Sequence, residues 1–248
     1  MKSIWFGLSL VVLLYSCTEK SNQEKQEAFV QSEQKVKQTA EFLKDTVTVT
    51  RFNLVDVQSI NSSILVELKY ATSDNFMGIK LYDRLKKAYL QKDVAERLAK
   101  VQNLLMQLKP GFQLLIYDAL RPVSVQQKMW DALDSLPPVE RGKFVSNPKN
   151  RSLHNMGAAV DLTIVDDQNK PLDMGANYDD IRQIAYPSME QRFFEEGKLS
   201  TTQLENRALL RKVMKSQGFR QLPTEWWHFN ACSRAEGLLK YKVLMEEP

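Results

Sequence analysis

The stretch SLHNMGAAVDLTIVD, residues 152–166, decides how this chain of 248 residues is read. From Ala158 onward it alternates. Val160, Leu162 and Ile164 fall on one side and Asp161 and Thr163 on the other, which predicts a strand with two distinct faces. Upstream, His154 is followed by Gly157, Ala158 and Ala159, and a glycine there permits a turn and a close approach of backbone. A separation of seven could also place His154 and Asp161 on one helical face, but Gly157 and the strand pattern oppose a helix. A loop that carries His154 and turns at Gly157 into a strand bearing Asp161 aims both side chains at one point. A carboxylate on a strand otherwise fit for burial is costly unless it is paired or bound to a metal.

The chain has only one other histidine, His228, in TEWWHFN (224–230). Two imidazoles and one carboxylate suit zinc, giving three protein ligands and an open fourth position for water, as in catalytic sites. A neighbouring carboxylate such as Glu225 could take the proton of that water. Glu225 and His228 are three apart, however, and in an extended strand they would point to opposite faces. A shared site therefore demands a bend between them. Spacing alone leaves two readings standing: one metal centre, or two separate structural histidines with Trp226 and Trp227 in ordinary packing.

Working outward, SSILVELKY (62–70) reads as a strand with Ile64, Val66, Leu68 and Tyr70 on one face. KDVAERLAKVQNLLMQLKPG (92–111) has helical spacing through Val94, Leu98, Val101, Leu105 and Leu108, with Asp93 as N-cap and Pro110-Gly111 as the stop. FQLLIYD (112–118) is an apolar strand that delivers Asp118 and Arg121 at its end, and Pro122 opens a short helix through Met129 and Leu133. TTQLENRALLRKVMKSQG (201–218) is a helix, with Thr202 and Glu205 as a capping box and Gly218 as its stop. WWHFN returns as a strand. Strands and helices do not alternate regularly, so the expected class is α+β rather than a doubly wound parallel sheet.

These segments resemble the D-alanyl-D-alanine dipeptidase family of the VanX type, within the wider group of zinc D,D-peptidases. That group carries S-x-H-x-x-G-x-A-x-D followed by E-x-W-H. Ser152, His154, Gly157, Ala159 and Asp161, then Glu225, Trp227 and His228, meet every fixed position. YATSDNFMG from Tyr70, YDALRP (117–122) and MGANYDD from Met174 resemble further segments of the dipeptidase branch. The likeness runs from about residue 52 to about 230. It implies a single α+β domain, a mainly antiparallel central sheet flanked by helices, with the zinc D,D-peptidase (hedgehog-like) fold.

The resemblance also implies roles. His154, Asp161 and His228 would bind one Zn2+ per chain, and Glu225 would be the general base. Arg121 would stabilise the oxyanion, and Asp179 would pair with the ammonium of a small D,D-dipeptide. Tyr70 and Ser152 would line the substrate pocket. Read without the family, Arg121 could be a helix-start ion pair, Tyr70 a core aromatic, and Asp118 and Asp179 solvated turn residues. One position departs from the family: Leu153 stands where these dipeptidases carry a second serine, which could remove a hydrogen bond to substrate.

The start of the chain reads as a leader. Ile4 to Tyr15 is an apolar run too short for the ~20 residues of a membrane-spanning helix and of signal-peptide length. Leu14-Tyr15-Ser16-Cys17 resembles a lipobox. The expected organisation is a lipoprotein signal peptide over 1–16, a polar tether over 17–48 after lipidated Cys17, and a catalytic domain over 49–248. An ordinary secretory signal with a chance cysteine is the simpler alternative. With a lipid anchor the protein would be exported and held at the membrane, facing the periplasm or cell envelope. Its role would then lie in cell-wall peptide turnover or salvage rather than in depleting a cytoplasmic precursor, and a role in glycopeptide resistance is not supported. With Cys17 acylated, Cys232 has no disulfide partner and reads as a small buried residue. The net charge of +4, with signs interspersed, gives no argument for nucleic acid, and no obligate protein partner is expected. Two other functions compete: a D,D-carboxypeptidase acting on peptidoglycan stem peptides, and a non-catalytic lipoprotein that binds wall peptides.

Overall fold

The strand Ala159–Val165 lies at the centre of a five-stranded sheet, and its seven residues are all buried. The computed structural model describes residues 26, 27, 29–39, 47–142 and 144–248. The leader and Cys17 lie outside the described residues. The chain divides between Thr48 and Val49 into two units. In the first, residues 29–39 are helical with exposed side chains. No helix among the described residues is long and apolar enough to cross a membrane.

The second unit runs β1 (Leu54–Asp56), α1 (Val57–Ile60), β2 (Leu65–Val66), β3 (Tyr89–Gln91), α2 (Lys92–Leu108), β4 (Gln113–Asp118), α3 (Val123–Ala132) and α4 (Pro138–Arg141). It continues through β5 (Ala159–Val165), α5 (Glu190–Glu195), α6 (Thr201–Ser216), β6 (Arg220–Gln221), β7 (His228–Asn230) and α7 (Arg234–Lys240). The main sheet has the order β2-β4-β5-β7-β6. Only β2 and β4 are parallel, and the other pairings are antiparallel. A separate antiparallel pair joins β1 to β3. The fold is therefore α+β with a mainly antiparallel sheet.

The alternation of β5 sorts its side chains as the sequence predicts. Val160, Leu162 and Ile164 enter the main core with Leu114 and Ile116 of β4. The same core takes Leu98, Val101 and Leu105 from α2 and Leu210, Val213 and Met214 from α6. Two helices thus cover one face of the sheet. The opposite face is left to Asp161 and Thr163, and the site forms there.

Several local expectations are corrected. Gln91, not Asp93, is the N-cap of α2; Asp93 sits in the first turn, and its carboxylate accepts from Lys240 Nζ and Tyr241 Oη. The capping box of α6 is formed by Ser200 and Gln203 rather than Thr202 and Glu205, so the helix starts two residues earlier than that box would set. The strand expected over 62–70 keeps only Leu65–Val66, and the chain then winds into a 3-10 turn at Lys69–Ala71. Both Leu81 and Tyr82 donate their N–H to the Tyr70 carbonyl, so Tyr70 bonds to that segment and not to a sheet neighbour. Trp226 and Trp227 form a bend, and β7 begins only at His228. Cys232 is a free thiol, half-buried rather than buried, packed beside Leu153 and Met156.

Candidate active site

His154 sits on a 3-10 turn, His154–Met156, closed by Gly157 in the left-handed conformation at φ +63°. A Cβ on Gly157 would lie 2.7 Å from Leu54 Cδ2 and 3.2 Å from the Gln91 nitrogen. Only glycine lets this turn nestle against β1 and β3. The turn feeds straight into β5, so His154 is brought back over Asp161. Across the sheet, Asp161 is the register partner of His228 on β7.

The three side chains meet. His228 Nδ1 is 2.9 Å from Asp161 Oδ1 and 3.2 Å from His154 Nε2, and His154 Nε2 is 3.4 Å from Asp161 Oδ1. Ligands at zinc distances of ~2.0–2.1 Å in a tetrahedron are roughly 3.3 Å apart. The other ring nitrogens fix the tautomers. His154 Nδ1 faces the Ala119 carbonyl at 2.6 Å and must donate to it, while His228 Nε2 donates to Asn230 Oδ1 at 2.9 Å. In their neutral forms the two imidazoles, with the Asp161 carboxylate, thus turn three ligand atoms toward one point, an arrangement that suits a cation among them. Among the described residues this is the one group of three metal-ligand side chains so arranged. Burial alone would raise Asp161, yet the two imidazoles hold it well below the ordinary carboxylate range. Burial pulls His228 down, and the Asp161 carboxylate overrides it and lifts the imidazole to about 9, so His228 holds a proton near neutral pH that a bound cation would displace.

A β-bulge at Tyr117 completes the centre. Ile116 pairs with Leu162, but the next pairing is Asp118 with Asp161, so one extra residue on β4 re-aims the strand end. Two carboxylates now stand opposite each other, and a cation must offset them. Arg121 supplies it: Nε is 2.8 Å and Nη2 2.6 Å from Asp118 Oδ2, and Nη2 is 3.4 Å from Asp161 Oδ2. Tyr82 Oη donates to the other oxygen of Asp118. Asp118 is fully buried, which rules out its reading as a solvated turn residue. The Arg121 guanidinium also lies over the Tyr70 ring, 4.9 Å from its centroid.

Tyr70, Arg121, Ser152, His154, Asp161, Asp179, Glu225 and His228 all line one cleft of about 700 Å³. Every residue singled out in the sequence for chemistry or substrate contact therefore faces the same space. Tyr70 Oη lies 3.1 and 3.0 Å from the two oxygens of Asp179. Burial raises the Asp179 carboxyl well above its usual value, and Asp161 adds to the rise. Ser152 Oγ donates to Gln126 Oε1 at 2.8 Å. The bend at Trp226–Trp227 meets the requirement set by spacing. It leaves Glu225 Oε2 3.8 Å from His228 Nδ1, with about a third of the side chain open to the cleft. Burial raises the Glu225 carboxyl, and the charge on His228 partly restrains it.

Sequence reasoning missed the supports of this site. Asn230 holds His228 in its tautomer, and the Ala119 carbonyl does the same for His154. Tyr178 Oη reaches Asp161 Oδ2 at 3.3 Å, and its ring packs between Tyr117 and Trp227. Asn230 carried a signal as the next residue on the same strand face as His228, and Tyr178 and Ala119 lie within the family-like segments MGANYDD and YDALRP.

A family profile described as D-ala-D-ala dipeptidase matches residues 50–243. A D-alanyl-D-alanine dipeptidase of Escherichia coli is 35% identical over 176 residues, covering 71% of this chain and 83% of that protein. One from Synechocystis sp. is 30% identical over 57% of this chain and 68% of its own length. One from Enterococcus faecalis is 30% identical over 66% of this chain and 83% of its own.

Proposed function

The chain belongs to the D-ala-D-ala dipeptidase family, and from that premise we propose that it is a zinc enzyme that splits free D-Ala-D-Ala at the His154–Asp161–His228 centre. That it is a dipeptidase follows from the family itself. The observation that carries the metal is the convergence of three buried ligand atoms 2.9–3.4 Å apart.

Zinc would be held by His154 Nε2, Asp161 Oδ1 and His228 Nδ1, and when bound it supplies Lewis-acid activation of water and carbonyl. Glu225, at the cleft wall beside His228, takes the proton of the attacking water and returns it to the leaving amine. Its raised pKa suits that double task, since a general base works best with a pKa brought toward the operating pH. Arg121 faces the charge that develops on the scissile carbonyl oxygen, and its ion pair with Asp118 holds the guanidinium in place. Asp179 receives the ammonium of the dipeptide, with Tyr70 fixing the carboxylate. An acylated N-terminus would leave that carboxylate without a partner, which disfavours it. Ser152 contacts the other end of the substrate.

A D,D-carboxypeptidase reading has one observation in its favour. The cleft falls within the volume range of sites for drug-sized ligands, larger than a dipeptide needs. Asp179 speaks against it. The test is hydrolysis by the full chain of D-Ala-D-Ala and of N-acetyl-D-Ala-D-Ala, after chelation and again after zinc is restored. Cleavage of the free dipeptide alone, lost and regained with the metal, supports the proposal. Preference for the acetylated compound replaces it with the carboxypeptidase, and hydrolysis untouched by chelation removes zinc from it.

The envelope location and the role in wall-peptide turnover or salvage rest on the leader and the lipobox ending at Cys17. Two acyl chains give stable anchoring where one does not. Palmitate labelling of the expressed protein, compared with Cys17→Ala, tests it; equal labelling of both would refute the anchor.

A further inference from the structure

Asp179 stands on a stretch of chain, Met174–Ile184, that has no regular structure until the 3-10 turn Gln183–Ala185, and in an unusual backbone conformation, φ +59°. An aspartate can adopt this left-handed region, but at a cost, and the conformation persists only where the surroundings impose it. One face of α6 imposes it. Gln203, Asn206 and Arg207, at helical spacing, all reach the start of the loop. Gln203 Nε2 donates to Asp173 Oδ2 at 2.8 Å and Asn206 Nδ2 to the Asp173 carbonyl at 2.8 Å. Arg207 Nε donates to the Met174 carbonyl at 2.6 Å, and its Nη2 to the Ile184 carbonyl at 2.9 Å. A single guanidinium therefore ties together the two ends of the loop that carries Asp179.

That guanidinium is 0% exposed. Its Nη1 makes no hydrogen bond, and its ion pair with Glu190 is long, at 3.6 Å. An apolar side chain would fill such a place with less desolvation cost. What an apolar side chain cannot do is hold two carbonyls of irregular backbone at a set separation. A third anchor comes from the other side: Trp226 Nε1 donates to the Ala176 carbonyl at 3.1 Å, from the bend that bears Glu225.

We infer that Arg207 is a positioning residue for substrate selection: by clamping the ends of the Met174–Ile184 loop it sets Asp179 where a free α-ammonium group is recognised. The inference rests on the ammonium role of Asp179 proposed above. Arg207 touches neither substrate nor metal ligands, so its loss acts on the binding of the amino end.

The experiment compares wild type, Arg207→Met, Arg207→Lys and Asn206→Ala. It reads kcat and KM on D-Ala-D-Ala and N-acetyl-D-Ala-D-Ala, zinc content, and amide hydrogen exchange over 174–184. In Arg207→Met, KM for the free dipeptide rises by about tenfold to a hundredfold, the scale of a small misplacement at a site. Zinc content and kcat change little, so the preference for a free amino end shrinks. Arg207→Lys, which can reach one carbonyl but not both, falls between. Exchange quickens over 174–184 and not over 159–165. If Arg207→Met does not fold, Asn206→Ala shows the same KM-selective effect at smaller size. A drop in kcat shared by both substrates, or an unchanged preference, overturns the inference. A wild type that cleaves neither compound refutes the proposed reaction instead. The exchange measurement then still decides on the clamp: unaltered exchange over 174–184 overturns it.

Discussion

His154, Asp161 and His228 stand on β5, on β7 or on the turn that feeds β5, while Asp179, facing the same cleft, stands on irregular chain and Tyr70 on the 3-10 turn Lys69–Ala71. In the first group Asp161 and His228 are held by ladder pairing, and His154 by the tight turn that enters β5. Asp161 is opposite His228 on one side and Asp118 on the other, and moving any of them means moving a strand. The second group is held by side chains: Tyr70 grips Asp179, and Arg207 and Trp226 grip the loop. The difference separates two tasks. Metal ligands tolerate little displacement, and a sheet provides that rigidity. Recognition of one end of a small substrate can be carried by a loop on a rigid scaffold, where it changes without disturbing the chemistry.

The contrast can be broken most severely at its rigid end. Asp161→Ala removes the proposed anionic ligand and one partner of Arg121; metal content measured by plasma emission should fall to background and turnover should vanish. Full metal in that variant would remove the trio from the centre. Glu225→Gln is next: kcat should drop by about 10²–10⁴-fold with the metal retained, since Glu225 is not among the three converging ligands. Loss of metal there would make Glu225 a ligand and not a base. Asn230→Ala leaves the ligands in place but frees His228 Nε2, and competition with a chromophoric chelator should show metal affinity weaker by about 10–100-fold.

The smallest effects sharpen the comparison through two glycines with similar φ. Gly78, at +66°, faces open space: a Cβ added there would have nothing within 4 Å. Gly78→Ala should therefore lower the thermal midpoint by only about 2–4 °C, the equivalent of ~1 kcal/mol of left-handed strain. Gly157, at +63°, meets a Leu54 methyl and backbone of β3. Gly157→Ala should cost clearly more in the same melting experiment and also weaken metal binding, because His154 rides on that turn. Equal midpoints for the two variants would show that the packing around Gly157 yields freely.

Much of this was legible beforehand, and the reasons are local. The period of two in β5 sorts Val160, Leu162 and Ile164 into the core and Asp161 out of it, since alternation is a property of extended backbone itself. The spacing of α2 likewise marks its buried stripe, Val94, Leu98, Val101 and Leu105. Motif matching brought in Arg121, Asp179, Tyr70 and Ser152, which spacing alone left undecided. The errors fell at element ends. Tyr70 read as the last residue of a strand because Ile64, Val66 and Leu68 alternate with it, yet two amides from residues 81 and 82 bond its carbonyl and turn the chain there.

By itself, then, the sequence determined which residue types face which way within each element, and which few polar side chains would need a partner if buried. Only the tertiary structure decided the partners. The bulge at Tyr117 sets Asp118 against Asp161 and so calls for Arg121 between them. The register of β5 with β7 places His228 at Asp161, and the packing of α6 puts Arg207 under a loop more than twenty residues earlier in the chain. These pairings join segments far apart in sequence. Periodicity carries no information about them, because each is fixed by how whole strands and helices bury their faces together.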